Sequence, residues 1–324
     1  MRTRLAVGAS LAILVVAVTP TRAVSPTVST SATATATAVR LSQAQGPRVG
    51  GCRVFPAANA WNTDISRAPL RARSAQTVAS IQAHGGTRLH PDFGSDPTYG
   101  IPYVVVPSSQ ANVPITYDAY GDESDKGPFP VPLSAPVEAG GDRHVLVAQQ
   151  GTCRLFELYD ARRRGVGWVA GSGAKWDLNT GALRPIGWTS ADAAGLPILP
   201  GLVRYDEVAS GKVLHAIRVT FDRTQAGFIL PATHLASSVT DIDAPPMGLR
   251  LRLKAGFSLA GLTGSSLVIA TAMKRFGLIV ADNGSNWFFQ GSTDPRWDDA
   301  NLDQLKTIPG TAFEVVETGP VRTH

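Results

Sequence analysis

The sequence predicts a mainly β fold, a jelly-roll-like β-sandwich with a few covering helices. Three observations predict it. Short aliphatic or alternating segments recur along the chain, clusters of Gly, Pro, Asp and Ser separate them, and only three stretches carry helical spacing. A dozen strands so arranged suit a sandwich or barrel better than alternating α/β units.

Taken in order, the 324 residues open with an address. Met1 to Ala23 joins a basic start (Arg2, Arg4) to an apolar run from Leu5 to Val18 and to the small residues Thr21 and Ala23. Those are the parts of a secretory signal peptide, too short and wrongly flanked for a stable membrane span. Residues 24–50 are dominated by Ser, Thr, Ala and Val. They lack the large side chains that repay ordering, so a flexible linker open to glycosylation is expected there. Val49-Gly50-Gly51-Cys52 mimics a lipoprotein processing site, but Cys52 lies 34 residues beyond Val18, too far for lipidation. Residues 51–324 are read as a single mainly β domain.

Within that domain the strands expected are Ile101–Val106, Val113–Tyr117, His144–Gln149, Arg154–Tyr159, Gly167–Ala170, Leu202–Val208, Val213–Phe221, Phe228–Leu230, Leu249–Lys254, Leu278–Ala281, Trp287–Gln290 and Ala312–Glu317. Helices are expected over Ser74–His84, stopped by Gly85-Gly86, and over Ser266–Phe276, capped by Ser265 or Ser266 and ended by Gly277. A short third helix spans Asp299–Lys306, turning Leu302 and Leu305 inward.

The formal charge of +5 loses Arg2, Arg4 and Arg22 with the signal peptide, leaving 27 basic against 25 acidic residues, or +2. The one basic cluster, Arg162-Arg163-Arg164, reads as a solvated turn at a strand end, so nucleic acid is not an expected partner. Cys52 and Cys153 are the only cysteines. In a secreted chain two cysteines pair, here across a loop of about 100 residues. No Cys and His spacing for zinc occurs.

Three loops concentrate functional side chains. Asp118–Pro132 carries Asp122, Glu123 and Asp125, whose oxygens suit catalysis or a structural calcium ion. Gly171–Trp188 carries Trp176 and Trp188, and Asp282–Asp299 carries Trp287. With Trp168 these rings offer flat faces for sugars, although large aromatics more often lid a core. In the stretch Gly187–Phe221, a hairpin about Ser210-Gly211 would set Asp206 opposite His215 and place Arg204, Asp206 and His215 on one apolar face. Aspartate beside imidazole makes a general base, while a structural ion pair is the plainer use of the same residues. Thr189-Ser190-Ala191-Asp192 fits a capping box, which makes Asp192 a helix starter rather than a site acid. Gly195–Gly201 is read as a rigid buried connector. His144 is placed at a wall of the same cleft, His234 has no partner evident from sequence, and Asp282 fits a turn as well as a site.

The strings YGDESD, GDRHVLV, GWTSADAAGLPILPGLVRYDEV, PPMGLRLRLKA and ADNGSNW resemble a widespread group of secreted, uncharacterised bacterial proteins, over about Phe55 to Val316. The resemblance implies an independent extracellular domain and carries no catalytic assignment. No Gly-x-Ser-x-Gly elbow is present, which argues against α/β-hydrolase esterase chemistry.

The function expected is that of a secreted carbohydrate-active enzyme, a glycoside hydrolase acting on an extracellular polysaccharide without a cofactor. Its carboxyl pair would come from Asp206, Glu207, Asp122 and Glu123, tuned by His215 and Arg204, with Trp188 holding sugar. A polysaccharide lyase would instead use His215 or Tyr205 as base and Arg204 or Arg218 to hold a uronate. A non-catalytic glycan-binding or envelope protein is the third expectation.

Overall fold

The computed structural model describes residues 46–323. The expected signal peptide and most of the expected linker lie outside those residues. The linker's last part is structured: β1 (Arg48–Val49) pairs antiparallel with β2 (Cys52–Arg53). The Cys52–Cys153 disulfide is formed, joining residues 101 apart in sequence. No helix among the described residues is long and apolar enough to cross a membrane.

The fold is mainly β and sandwich-like. Its central sheet has four strands in the order β10-β7-β6-β4, formed by β4 (Tyr103–Val106), β6 (Val145–Gln149), β7 (Arg154–Tyr159) and β10 (Ser172–Asp177). A six-stranded sheet has the order β15-β12-β13-β11-β14-β3. Its members are β3 (His90–Asp92), β11 (Ile217–Phe221), β12 (Arg250–Leu253), β13 (Leu278–Asn283), β14 (Phe288–Gln290) and β15 (Phe313–Val316). A third sheet, β5-β9-β8, comprises β5 (Ile115–Tyr117), β8 (Arg162–Arg164) and β9 (Gly167–Ala170).

Period-2 alternation explains the layering. Along β6 and β7, Leu146, Ala148 and Leu155 enter the large core shared with the six-stranded sheet, whereas Val145, Val147, Phe156 and Leu158 enter a smaller core with Trp168 and Ala170 of β9. The central sheet is therefore buried on both faces, which accounts for its nearly continuous apolar strands. Parallel ladders occur in all three of these sheets: β4 with β6, β5 with β9, β11 with β13, and β14 with β3. Jelly rolls are built from antiparallel ladders, so the resemblance to one stops at the layered β architecture.

Three of the four helices lie where expected, with shifted ends, and the second is unexpected. They are α1 (Ser74–Ala83), α2 (Tyr205–Ala209), α3 (Gly264–Arg275) and α4 (Asp299–Leu302). Gly277, at φ 70°, ends α3 in the left-handed conformation that glycine adopts without strain. At its start Thr263 is the cap residue, while Ser266 is turned to Asn301. The third expected helix is α4 continued by a 3₁₀ segment, Asp303–Thr307.

Two expected strands do not form. Phe228–Leu230 makes only isolated bridges, from Phe228 to Met247 and Arg322. Leu202–Val208 is not a strand, and no hairpin joins it to β11. The Glu207 carboxylate accepts from the Arg204 backbone N–H at 3.0 Å, three residues back, which starts α2. That local cap and the salt bridges of Glu207 outweigh the alternation that suggested a strand.

Candidate active site

Loss of the hairpin rearranges the residues expected to act. Asp206 faces solvent, its side chain 71 % exposed, and pairs with Arg296 at 2.8 Å. Glu207 takes the place foreseen for Asp206: it accepts from His215 Nε2 at 2.9 Å and from Arg204 Nη2 at 2.6 Å. His215 and Arg204 are buried, and His215 Nδ1 is also engaged, by the Ala216 carbonyl at 2.7 Å. Burial raises the Glu207 carboxyl, but Arg204 and His215 overcome it and hold the group below the ordinary carboxylate range. Arg204 Nη1 also donates to the Leu199 and Leu202 carbonyls, at 3.0 and 3.1 Å. The contacts are those of the structural ion pair weighed against catalysis for these residues, with Glu207 in place of Asp206.

The aromatic residues are likewise committed. Trp168, Trp176 and Trp287 are buried in the cores and leave no face free for a sugar ring. Trp176 donates to Glu157 at 3.1 Å and Trp168 to the Val131 carbonyl at 3.3 Å. Trp188 is half-buried and stacks with Arg184, whose guanidinium lies 5.5 Å from its ring and 5.6 Å from that of Trp176. Asp122 is exposed, and Glu123 accepts from the Thr189 N–H at 2.8 Å. Asp125, the third acid considered for calcium, accepts from Arg184 at 2.6 Å. Among the described residues no group of three His, Cys, Asp or Glu side chains is arranged to hold a metal ion.

A different set of charges converges where the starts of β6 and β10 and the end of β7 meet the six-stranded sheet. A cleft of about 360 Å³ opens there, lined by Tyr120, Asp142, Tyr159, Asp192, His234 and Asp282 among others. Asp192 is at its base. The capping box expected at Thr189–Asp192 does not form, because no helix follows. Ser190 Oγ accepts from the Asp192 N–H at 2.9 Å instead, making a tight turn that frees the aspartate side chain to point elsewhere.

Asp192 Oδ1 accepts from Arg218 Nη2 at 2.7 Å, and Asp282 Oδ2 lies 3.9 Å from the same nitrogen. Arg218, expected from sequence to hold a substrate carboxylate, is buried in β11 and also donates to Gln290 of β14. Burial is the largest influence on Asp192 and pushes its carboxyl up to about 8, assisted by Asp282 and opposed by Arg218 and His144. Burial raises Asp282 as well, again against the pull of Arg218. One guanidinium needs one counter-charge. Asp192 is wholly buried and the Asp282 side chain is 24 % exposed, so burial favours the protonated form more strongly at Asp192. Asp192 Oδ2 and Arg218 Nε are both buried without a hydrogen-bond partner.

The supports of this pair are themselves polar and buried. His144 has both ring nitrogens engaged: Nδ1 lies 2.5 Å from Glu138 Oε2, and Nε2 lies 2.9 Å from the Ala191 carbonyl. A carbonyl only accepts, so Nε2 carries a proton and pins the residue before Asp192. Burial disfavours the imidazolium, but Glu138 outweighs it and raises the group above the ordinary histidine value. Glu157 anchors the connector from the central sheet, accepting from the N–H groups of Ile198 and Leu199 at 3.0 and 2.9 Å. On the other side Thr233 Oγ1 donates to the Trp188 carbonyl at 2.9 Å, and His234 Nδ1 donates to the Ala193 carbonyl at 2.8 Å. Gly195, at φ 69°, closes the turn where a Cβ would collide with Thr233 Oγ1 and the Trp188 carbonyl.

From sequence alone Asp192 reads as a helix starter, Asp282 fits a turn as well as a site, and His234 has no evident partner. The available signal was Arg218, a lone cation in the apolar run Ala216–Phe221, which required a buried carboxylate partner. No family model matches the chain, and neither a curated protein nor a solved structure matches it.

Proposed function

We propose that the cleft hydrolyses a glycosidic bond of an extracellular polysaccharide. The observation that carries the reading is a pair of neighbouring carboxyls in unlike surroundings on one guanidinium. Asp192 is wholly buried with Oδ2 unpartnered, its carboxyl pushed up to about 8 by burial, and Asp282 lies partly exposed beside it on the same guanidinium. Glycoside hydrolysis uses such a pair, an acid to protonate the leaving oxygen and a carboxylate to stabilise or attack the oxocarbenium-like carbon. Arg218 serves both by holding Asp282 ionised and Asp192 oriented. His234, oriented by the Ala193 carbonyl at the cleft wall, is placed to handle the water proton. An extracellular setting agrees with the disulfide and with the apolar leader of the sequence.

The lyase expectation is weaker, because Arg204 and Arg218 are both bound to carboxylates and neither is free to hold a uronate. A screen of the purified protein against polysaccharides, read for reducing ends and for ultraviolet absorbance, separates the readings. Hydrolysis releases reducing ends without new absorbance. In Asp192→Asn and Asp282→Asn the rate is expected to fall about 10²–10⁴-fold while the fold is retained. Full turnover in either variant would sink the assignment, as would unsaturated products or retention of glycan with no new ends.

A further inference from the structure

We propose that Glu138 and His144 form a buried charged clamp that positions Asp192, with His144 held as an imidazolium between the Glu138 carboxylate and the Ala191 carbonyl. The clamp rests on the reading of Asp192 as the acid of the cleft and adds the residues that set its working range. Neither of the two lines the cleft, so both are positioning residues behind it. The charge on His144 follows from its bonds. Glu138 Oε2 accepts from the His144 backbone N–H at 3.1 Å, so the same oxygen faces Nδ1, 2.5 Å away, as an acceptor. Nε2 faces a second acceptor, the Ala191 carbonyl, at 2.9 Å. A neutral imidazole carries one N–H and would leave one of these contacts without a hydrogen. The backbone fixes the spacing, since the Glu138 N–H donates to the His144 carbonyl at 2.9 Å. Burial opposes both charges, but each partner overcomes it at the other.

The place of this cation gives it a second effect. His144, just before β6, bears on the turn that carries Asp192, while Arg218 reaches the same carboxyl from β11 at 2.7 Å. Glu138 sits on the Nδ1 edge of the ring and Ala191 on the Nε2 edge, so the chain leading into Asp192 meets the positive side of the pair. Burial raises the Asp192, Asp282 and Glu157 carboxyls, and His144 opposes it at all three. Arg218 and Asp142 are the other charges that act on His144, and the Tyr159 ring packs on it with centroids 5.9 Å apart.

Two NMR measurements on the full-length protein test the clamp, and neither needs a substrate. In the wild type, the nitrogen spectrum of the His144 ring is expected to show both nitrogens protonated at about pH 7.5, above the ordinary histidine value. A neutral ring overturns the proposal. In Glu138→Gln no carboxylate balances the ring, which loses a proton and with it the cation behind Asp192. The Asp192 carboxyl, followed by carbon NMR and identified by its loss in Asp192→Asn, is then expected to titrate at least about half a pH unit higher than in the wild type. A purely structural support predicts the opposite sign, because a loosened turn admits water and brings the carboxyl down towards its ordinary value. An unchanged or lowered midpoint therefore overturns the proposal. If Glu138→Gln does not fold, His144→Gln, which keeps a donor for the Ala191 carbonyl without the charge, is measured in its place with the same expectation. Failure of the hydrolase reading shows separately, as polysaccharides that yield no reducing ends, and leaves both NMR outcomes in force.

Discussion

At the scale of single residues, the proton on Asp192 ties the cleft to the pH dependence of folding. Its carboxyl sits at about 8 in the folded chain, against about 3.9 in an unfolded one. Between those values the folded chain holds a proton that the unfolded chain has released. Stability therefore falls as pH rises through this window: the contribution is fully present below the unfolded value and gone above the folded one. Asp282, raised by burial, acts in the same direction. His144, raised by Glu138 despite its burial, also contributes below its unfolded value and loses that contribution as pH rises. Glu138 and Glu207, both lowered by their cationic partners despite burial, act oppositely; their support is lost as pH falls through their folded values. The chain is expected to be most stable at mildly acidic pH and to weaken towards pH 8. Asn mimics a protonated Asp, so Asp192→Asn should flatten the decline when denaturant midpoints are followed from about pH 5 to pH 8. Parallel slopes for the two proteins would show that Asp192 is ionised throughout. The sequence showed the members of this network but not their union. Asp192 and Arg218 are 26 residues apart, and they meet only because Ser190 bends the chain where a helix was expected.

At the scale of elements, the chain from Arg204 to His215 shows how a short polar cap redirects a segment. Glu207 starts α2 through the Arg204 N–H and then binds both Arg204 and His215 with its side chain. Glu207→Ala would leave two buried basic groups without their acceptor. A loss of about 3–5 kcal/mol is expected in equilibrium unfolding. Asp206→Ala, one position away, removes only an exposed pair and should change stability by no more than about 0.5 kcal/mol. Equal losses would mean that the partners of Glu207 are satisfied elsewhere. The alternation across Leu202–Val208 was visible in sequence and misleading, since a capping side chain three residues on outranks periodicity in so short a piece. The reverse error hid β10. Its start, Ser172-Gly173-Ala174, reads as a turn, but small residues are needed there because the Tyr117 hydroxyl packs directly over Gly173. Arg154–Tyr159 and Gly167–Ala170 were legible to the residue, being buried strands bounded by turns on both sides.

At the scale of the whole molecule, cross-link and cleft lie at opposite ends of the central sheet. Cys153 precedes β7, near the end of β6, whereas His144, Tyr159 and Ser172 mark the other end, where the cleft opens. The disulfide closes a loop of about 100 residues and so restricts the unfolded chain, which the chain-entropy model values at about 4.7 kcal/mol. In the folded protein it fastens β2 to the turn that also receives the Leu178 N–H on the Cys153 carbonyl. None of the groups that orient Asp192 or Asp282 depends on that connection, since they are held by Glu157, His144, Arg218 and Thr233. Replacing both cysteines by alanine is therefore expected to lower unfolding stability by about 2–5 kcal/mol. Well below its melting transition, the folded double variant should keep the cleft's ligand affinity and pH profile. Denaturant melts, paired with glycan binding on the same samples, separate the two effects. A double variant that stays folded but binds differently would show that the cross-link also holds the cleft in shape, through the length of the buried sheet.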